Sequence, residues 1–418
     1  MSIVSSPGLS VAQRYQAIRQ FTEQIAEPLS PEDCMVQSMP DTSPMRWHMA
    51  HTTWFFETFI LRPRPEYTVF DEQFSYLFNS YYNKVGDQFP RPQRGLISRP
   101  GLERIKEYRG YVDEHVFELL LSEELGELEY AIEVGLNHEQ QHQELMLTDI
   151  KHALSCNPTL PVYEESPTAP FESPNQEWFE FSEGIYEIGH EGKGFAFDNE
   201  SPRHPVFVQE FSIAGHPVSC GQFIEFIDDG GYNRPDHWLS LGWTAVQDNS
   251  WNAPLYWVNR GGNWMQFTLS GLQPVHRDWP VCHVSYFEAD AFARWAGVRL
   301  PTEFEWEHAS IESGGDQFAE LLMNCGMAIH PTGGETATVQ PAQMFGGVWE
   351  WTSSSYAPYP GYVAPPGALG EYNGKFMCNQ YVLRGGSVAT CSNHIRSTYR
   401  NFFPVDSRWQ FFGIRLAR

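Results

Sequence analysis

The sequence predicts a protein of two domains, an all-α helical bundle followed by a mixed domain of short strands, helices and loops. The chain has 418 residues, a length typical of two or three domains. Its first part contains proline-free runs in which apolar residues recur at helical spacing. Beyond about residue 176 this spacing largely ends, and glycine, proline and aromatic residues become frequent. We therefore expect a bundle over residues 1–155, a linker over 156–176 and a second domain over 177–418.

Four segments of the first domain have the apolar spacing of amphipathic helices, and they cover residues 10–26, 45–61, 100–121 and 124–154. Prolines end the first two segments, and Ser43-Pro44 is typical of a helix cap followed by the first helical residue. Residues 74–99 form an irregular stretch whose length is typical of a functional loop. Four helices with one long excursion predict a bundle whose core can hold a metal site.

In the second domain, alternating apolar and polar residues predict strands over residues 179–190 and 205–213. Helical spacing predicts helices over residues 219–228 and 285–295. Glycines cluster in Gly346-Gly347 and in Gly385-Gly386, where we expect positive φ angles or close packing. The second domain is therefore expected to be rich in loops.

Composition and charge exclude several classes of partner. The formal net charge is −25, from 27 basic and 52 acidic side chains, and no run of lysine or arginine occurs. This balance disfavours binding to nucleic acids or to anionic membranes. Seven widely spaced cysteines without CxxC spacing predict neither a disulfide framework nor a cysteine zinc site. With no signal region and no apolar run of about 18 residues, we expect a cytoplasmic protein without a membrane span.

The most informative local pattern is the HxxxH spacing of His138 and His142 in the last predicted helix. Residues four apart lie on one face of a helix, so both imidazoles can bind the same divalent metal. A third ligand must come from elsewhere, and His51 in the second helix is the best candidate. Taken alone, HxxxH is weak, because a histidine on a half-buried helix is often only hydrogen-bonded. The pattern also differs from that of zinc proteases, since Gln140 and Gln141 follow Glu139.

Longer motifs then make a family resemblance visible. The first half resembles the DinB-type four-helix bundle. The second half resembles the formylglycine-generating-enzyme-like fold, a C-type-lectin-like α+β domain, through six motifs in order: Pro202-Arg203-His204-Pro205-Val206, Pro280-Val281-Cys282-His283-Val284-Ser285-Tyr286, Arg299-Leu300-Pro301-Thr302-Glu303-Phe304-Glu305-Trp306-Glu307, Gly346-Gly347-Val348-Trp349-Glu350-Trp351, Leu383-Arg384-Gly385-Gly386-Ser387 and Phe412-Gly413-Ile414-Arg415-Leu416-Ala417. Fused to a bundle with these histidines, the arrangement resembles the ergothioneine-pathway sulfoxide synthases, the EgtB-type non-haem iron enzymes.

This resemblance implies an O₂-dependent reaction that joins the sulfur of cysteine or γ-glutamylcysteine to imidazole C2 of Nα-trimethylhistidine (hercynine), leaving a sulfoxide. It also implies that His51, His138 and His142 bind Fe(II). Three neutral imidazoles leave open coordination positions, so that both substrates and O₂ can meet at one metal.

The resemblance further assigns substrate contacts. It places Gln141 and Asn401 against the methylated histidine, and Arg91 and Arg94 against the carboxylate of the thiol, which a planar guanidinium can bind in a bidentate manner. Ordinary surface charge is the alternative interpretation of both arginines.

Tyr81 and Tyr82 have two interpretations of equal weight. In the first interpretation, one of the two tyrosines donates a proton to a reduced oxygen species. In the second, the two side chains form a packed aromatic pair. His48, three residues before His51, is expected to support a ligand or to be structural.

One departure from the family pattern concerns the thiol. Relatives that use γ-glutamylcysteine tend to have Asn-Trp-Asp where this chain has Asn401-Phe402-Phe403. The acidic side chain is missing, and Phe402 and Phe403 offer apolar surface instead. We therefore expect L-cysteine to be the preferred donor, with γ-glutamylcysteine as the alternative.

The sequence leaves four other functions as alternatives. They are a sulfoxide synthase of the ovothiol type, a DinB-type metal-dependent thiol transferase, a non-enzymatic binding module, and a formylglycine-generating oxidase. The last is disfavoured because Leu416 stands where the reactive cysteine is expected and Cys391 has no near partner in sequence.

Overall fold

The chain divides into two compact units in the computed structural model, which describes residues 9–122, 125–126, 128–165, 176–314, 330–333 and 340–418. The first unit comprises Met1–Glu164 and Ala364–Tyr372. The second comprises Glu165–Val363 and Asn373–Arg418. Nine residues from late in the chain therefore belong to the unit that holds the N-terminal helices. Most of the predicted linker, residues 166–175, lies outside the described residues.

The described part of the first unit contains a bundle of long helices. Its helices are α1 (Val11–Ala26), α2 (Met45–Phe56), α3 (Phe74–Phe78), α4 (Leu102–Leu121) and α5 (Leu128–Ser155). The four long helices α1, α2, α4 and α5 pack against one another, as the sequence predicts. The predicted start of the last helix, at residue 124, lies outside the described residues. The irregular stretch between α2 and α4 contains α3 and a 3-10 turn at Arg91–Leu96.

The ends of α2 differ in detail from the prediction. Pro44, rather than Ser43, occupies the cap position, and its side chain provides no hydrogen bond. At its other end α2 continues into a π-helix, Glu57–Leu61. The buried Glu57 carboxylate accepts hydrogen bonds from the hydroxyls of Tyr67 and Tyr108, each at 2.6 Å. Single π-turns are frequent near functional sites, and this one lies within two turns of His51.

A buried ion network fixes the orientation of α5. The Glu139 carboxylate accepts hydrogen bonds from Arg19 of α1 at 2.8 Å, from Arg109 of α4 at 3.2 Å and from Thr22 at 2.6 Å. Successive residues of a helix point about 100° apart. With Glu139 held towards α1 and α4, the neighbouring His138 is turned towards α2.

Gly135 allows α2 and α5 to approach closely. A Cβ at this position would lie 2.7 Å from a ring carbon of Phe56 and 3.0 Å from one of Phe55. Without it, the rings of His51 and His138 come to 4.9 Å between centroids. The missing side chain thus helps to bring histidines of two helices together.

The second unit is an α+β domain with several small sheets. The described strands are β1 (Trp178–Phe181), β2 (Gly184–Ile188), β3 (His204–Val208), β4 (Phe211–Ala214), β5 (Trp257–Arg260), β6 (Asn263–Thr268), β7 (Gly271–Pro274), β8 (Trp349–Ser355), β9 (Gln380–Arg384), β10 (Asn401–Pro404) and β11 (Phe412–Gly413). The four-stranded sheet has the order β10-β9-β8-β11, in which β11 runs parallel to β8 and the other pairs are antiparallel. Smaller sheets pair β1 with β4, β2 with β3, and β6 with both β5 and β7.

The described helices of the second unit are α6 (Cys220–Asp228), α7 (Ser240–Asn249), α8 (Tyr286–Trp295) and α9 (Glu303–Glu312). Of these, α6 and α8 were predicted and α7 and α9 were not. Each predicted strand is in fact two strands, β1 with β2 and β3 with β4, because a turn interrupts it. Gly385 and Gly386 have φ angles of 96° and 78°, as expected for the glycine cluster.

Several residues of the six sequence motifs form buried ion pairs and hydrogen bonds in the core of this unit. Glu303 of α9 pairs with Arg384 and Arg400, in both cases buried. Glu350 of β8 accepts hydrogen bonds from Arg415 and from the indole of Trp306. Burying such charges is tolerated only when each is paired. These motif residues therefore stabilise the fold, and their presence alone does not indicate catalysis.

Candidate metal centre

Three buried histidines converge in the core of the first unit. His51 lies on α2, and His138 and His142 lie one turn apart on α5. One ring nitrogen of each lies within 4.8 Å of those of the other two. The rings of His138 and His142 are 4.5 Å apart between centroids. Among the described residues this is the group of side chains arranged to hold a metal ion.

Hydrogen bonding sets the proton position on His51. Its Nδ1 lies 2.6 Å from the carbonyl oxygen of Phe78, which can only accept, so Nδ1 carries the proton. Its Nε2 therefore presents a lone pair, 3.2 Å from Nε2 of His138. Two ring nitrogens so close require a shared proton or a cation between them.

All three imidazoles are held neutral. Burial lowers the pKa values of His51 and His142 well below the usual range, and the neighbouring imidazoles lower them further. Burial also lowers the pKa of His138 to about 3, although the Glu139 carboxylate opposes this shift. Neutral imidazoles are the form that binds metals. A cluster of three nitrogen donors without a carboxylate or thiolate fits a divalent transition metal.

A fourth histidine lies next to this cluster. Nδ1 of His48 is 2.8 Å from Nδ1 of His142, and Nε2 of His48 is 3.1 Å from Oδ2 of Asp149. His48 is thus linked by hydrogen bonds both to one of the three histidines and to a carboxylate.

The two arginines predicted to bind the thiol carboxylate differ in their surroundings. Arg94 is buried, its guanidinium lies 3.3 Å from the ring centroid of Trp47, and it donates hydrogen bonds to the hydroxyls of Ser43 and Ser80. Burial, and then the charge of Arg91, lowers the pKa of Arg94. Arg91 is exposed and donates to a backbone carbonyl. The two guanidinium groups therefore differ in exposure, but the charge of Arg91 still acts on Arg94.

Tyr81 and Tyr82 stack at 4.7 Å between ring centroids. Tyr82 is fully buried and packs against Trp54 at 5.6 Å. Burial, and then Tyr81, raises the pKa of Tyr82 well above its usual value. Its hydroxyl therefore keeps its proton across the physiological pH range.

A third tyrosine, Tyr372, lies next to His138 and is not among the site residues predicted from the sequence. Tyr372 comes from the segment Ala364–Tyr372, and its ring lies 5.7 Å from that of His138 and 6.2 Å from that of Tyr81. Its hydroxyl donates a hydrogen bond to Oε1 of Gln141. Gln141, predicted to contact substrate, is thus the residue of α5 to which Tyr372 is hydrogen-bonded. No local pattern singles out Tyr372, because it stands in a loop rich in glycine and proline.

Comparison with known proteins follows the same division of the chain. A family model described as the sulfatase-modifying factor enzyme 1-like domain matches residues 164–418, and one for the DinB superfamily matches residues 14–146. The chain is 31% identical to the hercynine oxygenase of Mycobacterium tuberculosis over 405 residues, which cover 90% of this chain and 91% of the relative. The chain belongs to the hercynine oxygenase family. It is also 33% identical to the hercynine oxygenase of Mycolicibacterium smegmatis, covering 68% of this chain and 70% of the relative.

Membership of the hercynine oxygenase family confirms the predicted fold class, a DinB-like bundle followed by a formylglycine-generating-enzyme-like domain. It also identifies the chain as an oxidoreductase. A further relative is the ergothioneine biosynthesis protein 1 of Schizosaccharomyces pombe, 27% identical over 54% of this chain and 28% of that protein. None of the described helices has the length and apolar character needed to cross a membrane.

The remaining predicted site residues of this hercynine oxygenase family member lie on β10 of the second unit. The side-chain oxygen of Asn401 accepts a hydrogen bond from the backbone N–H of Phe402 at 3.0 Å. Phe402 stacks on Tyr356 at 4.0 Å, and Phe403 packs against Phe412 at 4.9 Å. Both phenylalanines thus have aromatic partners inside their own unit.

Proposed function

We propose that this protein is an Fe(II)- and O₂-dependent sulfoxide synthase of ergothioneine biosynthesis. It joins the sulfur of cysteine to imidazole C2 of Nα-trimethylhistidine (hercynine). The observation that carries the proposal is the convergence of three neutral, buried imidazoles within 4.8 Å, in a chain of the hercynine oxygenase family. The names of the relatives support hercynine as the substrate and ergothioneine as the pathway.

The reaction balances without an external reductant. The C2–H bond of hercynine and the S–H bond of the thiol break, and a C–S bond forms. One oxygen atom of O₂ becomes the sulfoxide oxygen, and the other leaves as water with the two hydrogens. The two substrates supply all four electrons that reduce O₂.

His51, His138 and His142 would hold the iron. Bound there, Fe(II) would supply the activation of O₂ and the attachment point for the thiol. The surrounding helices exclude bulk water, because all three histidines are buried. A water-poor site protects reactive oxygen species from side reactions.

The chain's own side chains position the substrates and hold protons. Gln141 offers an amide beside the ligands, and Arg94 carries a buried positive charge suited to a carboxylate. The ring of Tyr372 lies 5.7 Å from that of His138, and Tyr82 carries a buried phenol that stacks on Tyr81. We assign the proton donor to this group of tyrosines, which also includes Tyr81.

The thiol is proposed to be cysteine. A γ-glutamyl extension adds an ammonium and a carboxylate, and desolvating them without partners is costly. Phe402 and Phe403 offer no such partner. Comparing kcat/KM for the two thiols tests this choice. A tenfold preference for γ-glutamylcysteine, about 1.4 kcal/mol of transition-state discrimination, would overturn it.

The experiment that tests the function is anaerobic loading with Fe(II), then O₂ uptake and mass spectrometry of the products. Hercynine is offered with cysteine or with γ-glutamylcysteine, and histidine replaces hercynine in a parallel reaction. We expect a hercynine-derived sulfoxide and equimolar O₂ uptake. Preference for histidine would instead indicate the ovothiol-type activity, and thiol consumption without O₂ uptake would indicate a thiol transferase.

His138→Ala provides the matched test of the metal site. It removes one of three ligands, so we expect loss of iron binding and of turnover. His115→Ala is the control, because His115 lies on α4 and its Nδ1 is hydrogen-bonded to the Tyr111 carbonyl. Full iron occupancy and unchanged turnover in His138→Ala would contradict the assignment.

A further inference from the structure

His142 is connected to a carboxylate through a second histidine. Its Nδ1 lies 2.8 Å from Nδ1 of His48, whose Nε2 lies 3.1 Å from Oδ2 of Asp149. The exposed fractions of His142, His48 and Asp149 are 8%, 2% and 5%. In such buried surroundings it is costly for two N–H groups, or two lone pairs, to face each other. Each contact must therefore join one donor to one acceptor.

The Asp149 carboxylate determines which nitrogens of His48 and His142 carry protons. Oδ2 of Asp149 also accepts the backbone N–H of Ser43 at 2.8 Å, so this oxygen is an acceptor. The nitrogen of His48 that faces the same oxygen, Nε2, must then carry a proton. In a neutral imidazole only one nitrogen carries a proton, so Nδ1 of His48 bears a lone pair and accepts. The nitrogen of His142 that faces this lone pair must carry a proton in turn.

We propose that His48 and Asp149 are positioning residues that hold His142 in its Nδ1–H tautomer and leave its Nε2 free to bind the metal. This inference rests on the metal site assigned under the proposed function. Ligand histidines commonly donate their second N–H to a carboxylate or carbonyl, which fixes the ring and its tautomer. Here the carboxylate acts across an intervening imidazole.

The three proposed ligands differ in the group that fixes the orientation and tautomer of each ring. The Phe78 carbonyl can impose only one tautomer on His51, because a carbonyl never donates. An imidazole such as His48 could either donate or accept, so it fixes His142 only when Asp149 fixes His48. Nδ1 of His138 has no hydrogen-bond partner in the described part of the chain. His142 is therefore the ligand whose geometry depends on other side chains.

The test measures the affinity of the full-length, metal-free protein for Co(II), by competition with a chelator and by the absorption spectrum of bound cobalt. His48→Phe keeps a ring of similar size but leaves the Nδ1–H of His142 unpaired. We expect Co(II) to bind about 10–100-fold more weakly and with a changed spectrum, as for other partners of ligand histidines. His48→Gln can accept from His142 and donate to Asp149, so we expect its affinity to stay within about threefold of the parent.

Control measurements separate positioning from folding. His115→Phe alters a histidine of the same unit that does not touch the cluster, and it should bind Co(II) like the parent. Thermal unfolding of each metal-free variant reports on stability alone. Parental affinity and spectrum in His48→Phe, or an equal loss in His48→Gln, would overturn the positioning role while leaving the proposed function intact. Absence of Co(II) binding in the parent would overturn both.

Discussion

At the scale of single residues, the hydroxyls of two tyrosines have different surroundings. Tyr82 is fully buried and its raised pKa keeps its proton in place. Tyr372 donates its proton in a hydrogen bond to Gln141, one residue before His142. Proton donation during oxygen chemistry requires a phenol that is protonated and within reach, and both residues meet the first condition.

Replacing each tyrosine by phenylalanine distinguishes these roles. For the residue that donates the proton, we expect unchanged iron affinity and a kcat lowered by roughly 10²–10⁴-fold, the usual contribution of general acid catalysis. Simple thiol dioxygenation to sulfinic acid can then compete, so the sulfoxide-to-sulfinate ratio is the measurement. Tyr111→Phe on α4 is the control, because the Tyr111 hydroxyl donates an exposed hydrogen bond to the Thr68 carbonyl. If Tyr81, Tyr82 and Tyr372 variants all match the parent, the three are packing residues.

At the scale of elements, α5 carries two of the proposed metal-binding histidines and the buried charge of Glu139 on different faces. Burial by itself would raise the pKa of Glu139, but the guanidinium groups of Arg19 and Arg109 outweigh it and hold that pKa below its usual range. The folded state therefore binds a proton at Glu139 less readily than the unfolded chain does. The stability from this carboxylate is present above the unfolded-state pKa and is lost as the pH falls through the folded-state pKa.

Glu139→Gln should destabilise the first unit by up to about 3–5 kcal/mol, because it removes the buried carboxylate that the guanidinium groups of Arg19 and Arg109 share. Arg19 keeps its ion pair with Asp113. Urea unfolding at neutral pH measures this loss. The difference between variant and parent should shrink in acid, where the parent carboxylate is protonated too. Glu133→Gln removes a partly exposed pair with Arg14 and should cost less than about 1 kcal/mol. A Glu139→Gln protein as stable as the parent at neutral pH would contradict the structural role of the network.

The loop Ala364–Tyr372 is fastened to the bundle next to Tyr372. The Glu371 carboxylate accepts the backbone N–H groups of Asn83 at 3.1 Å and Lys84 at 2.9 Å. The Lys84 ammonium donates to the Gly367 carbonyl at 3.1 Å. These bonds join the loop to the turn that follows Tyr81 and Tyr82.

Glu371→Ala should lower kcat by up to about 100-fold without changing iron affinity, since a misplacement of about 1 Å can cost that much. Limited proteolysis should also cut residues 364–372 faster than in the parent. Glu107→Ala, an exposed α4 residue paired with Arg104, is the control. Unchanged kcat together with unchanged proteolysis would show that Glu371 does not hold the loop.

At the scale of the whole molecule, the sequence is informative where interactions are local. The spacing of His138 and His142 is a property of one helix, and the long helices are recognisable from their apolar periodicity. Helices α7 and α9 were missed because their apolar residues are less clearly confined to one face than those of α6 and α8. In α9 the buried Glu303 also depends on distant partners, Arg384 and Arg400. Tyr372 was missed for the same reason, since its place is set by tertiary contacts of a loop.

Residues 1–175 expressed alone should still bind Co(II), because they contain all three ligand histidines. They should not form sulfoxide, because they lack Tyr372, which contacts His138 and Gln141. Equilibrium dialysis and product analysis provide the two measurements. Bound metal should stabilise this fragment by about 2.7 kcal/mol at a free concentration 100 times Kd. Full turnover by the fragment would contradict a role for the late loop.

The contribution of Ala364–Tyr372 to the first unit also has a consequence for the order of biosynthesis. Tyr372 follows His142 by 230 residues, so at roughly 5–20 residues per second it leaves the ribosome about 10–50 s later. A bundle that folds as it emerges has its three histidines assembled throughout that interval. The nascent chain can therefore take up a metal ion before the loop that carries Tyr372 has been translated.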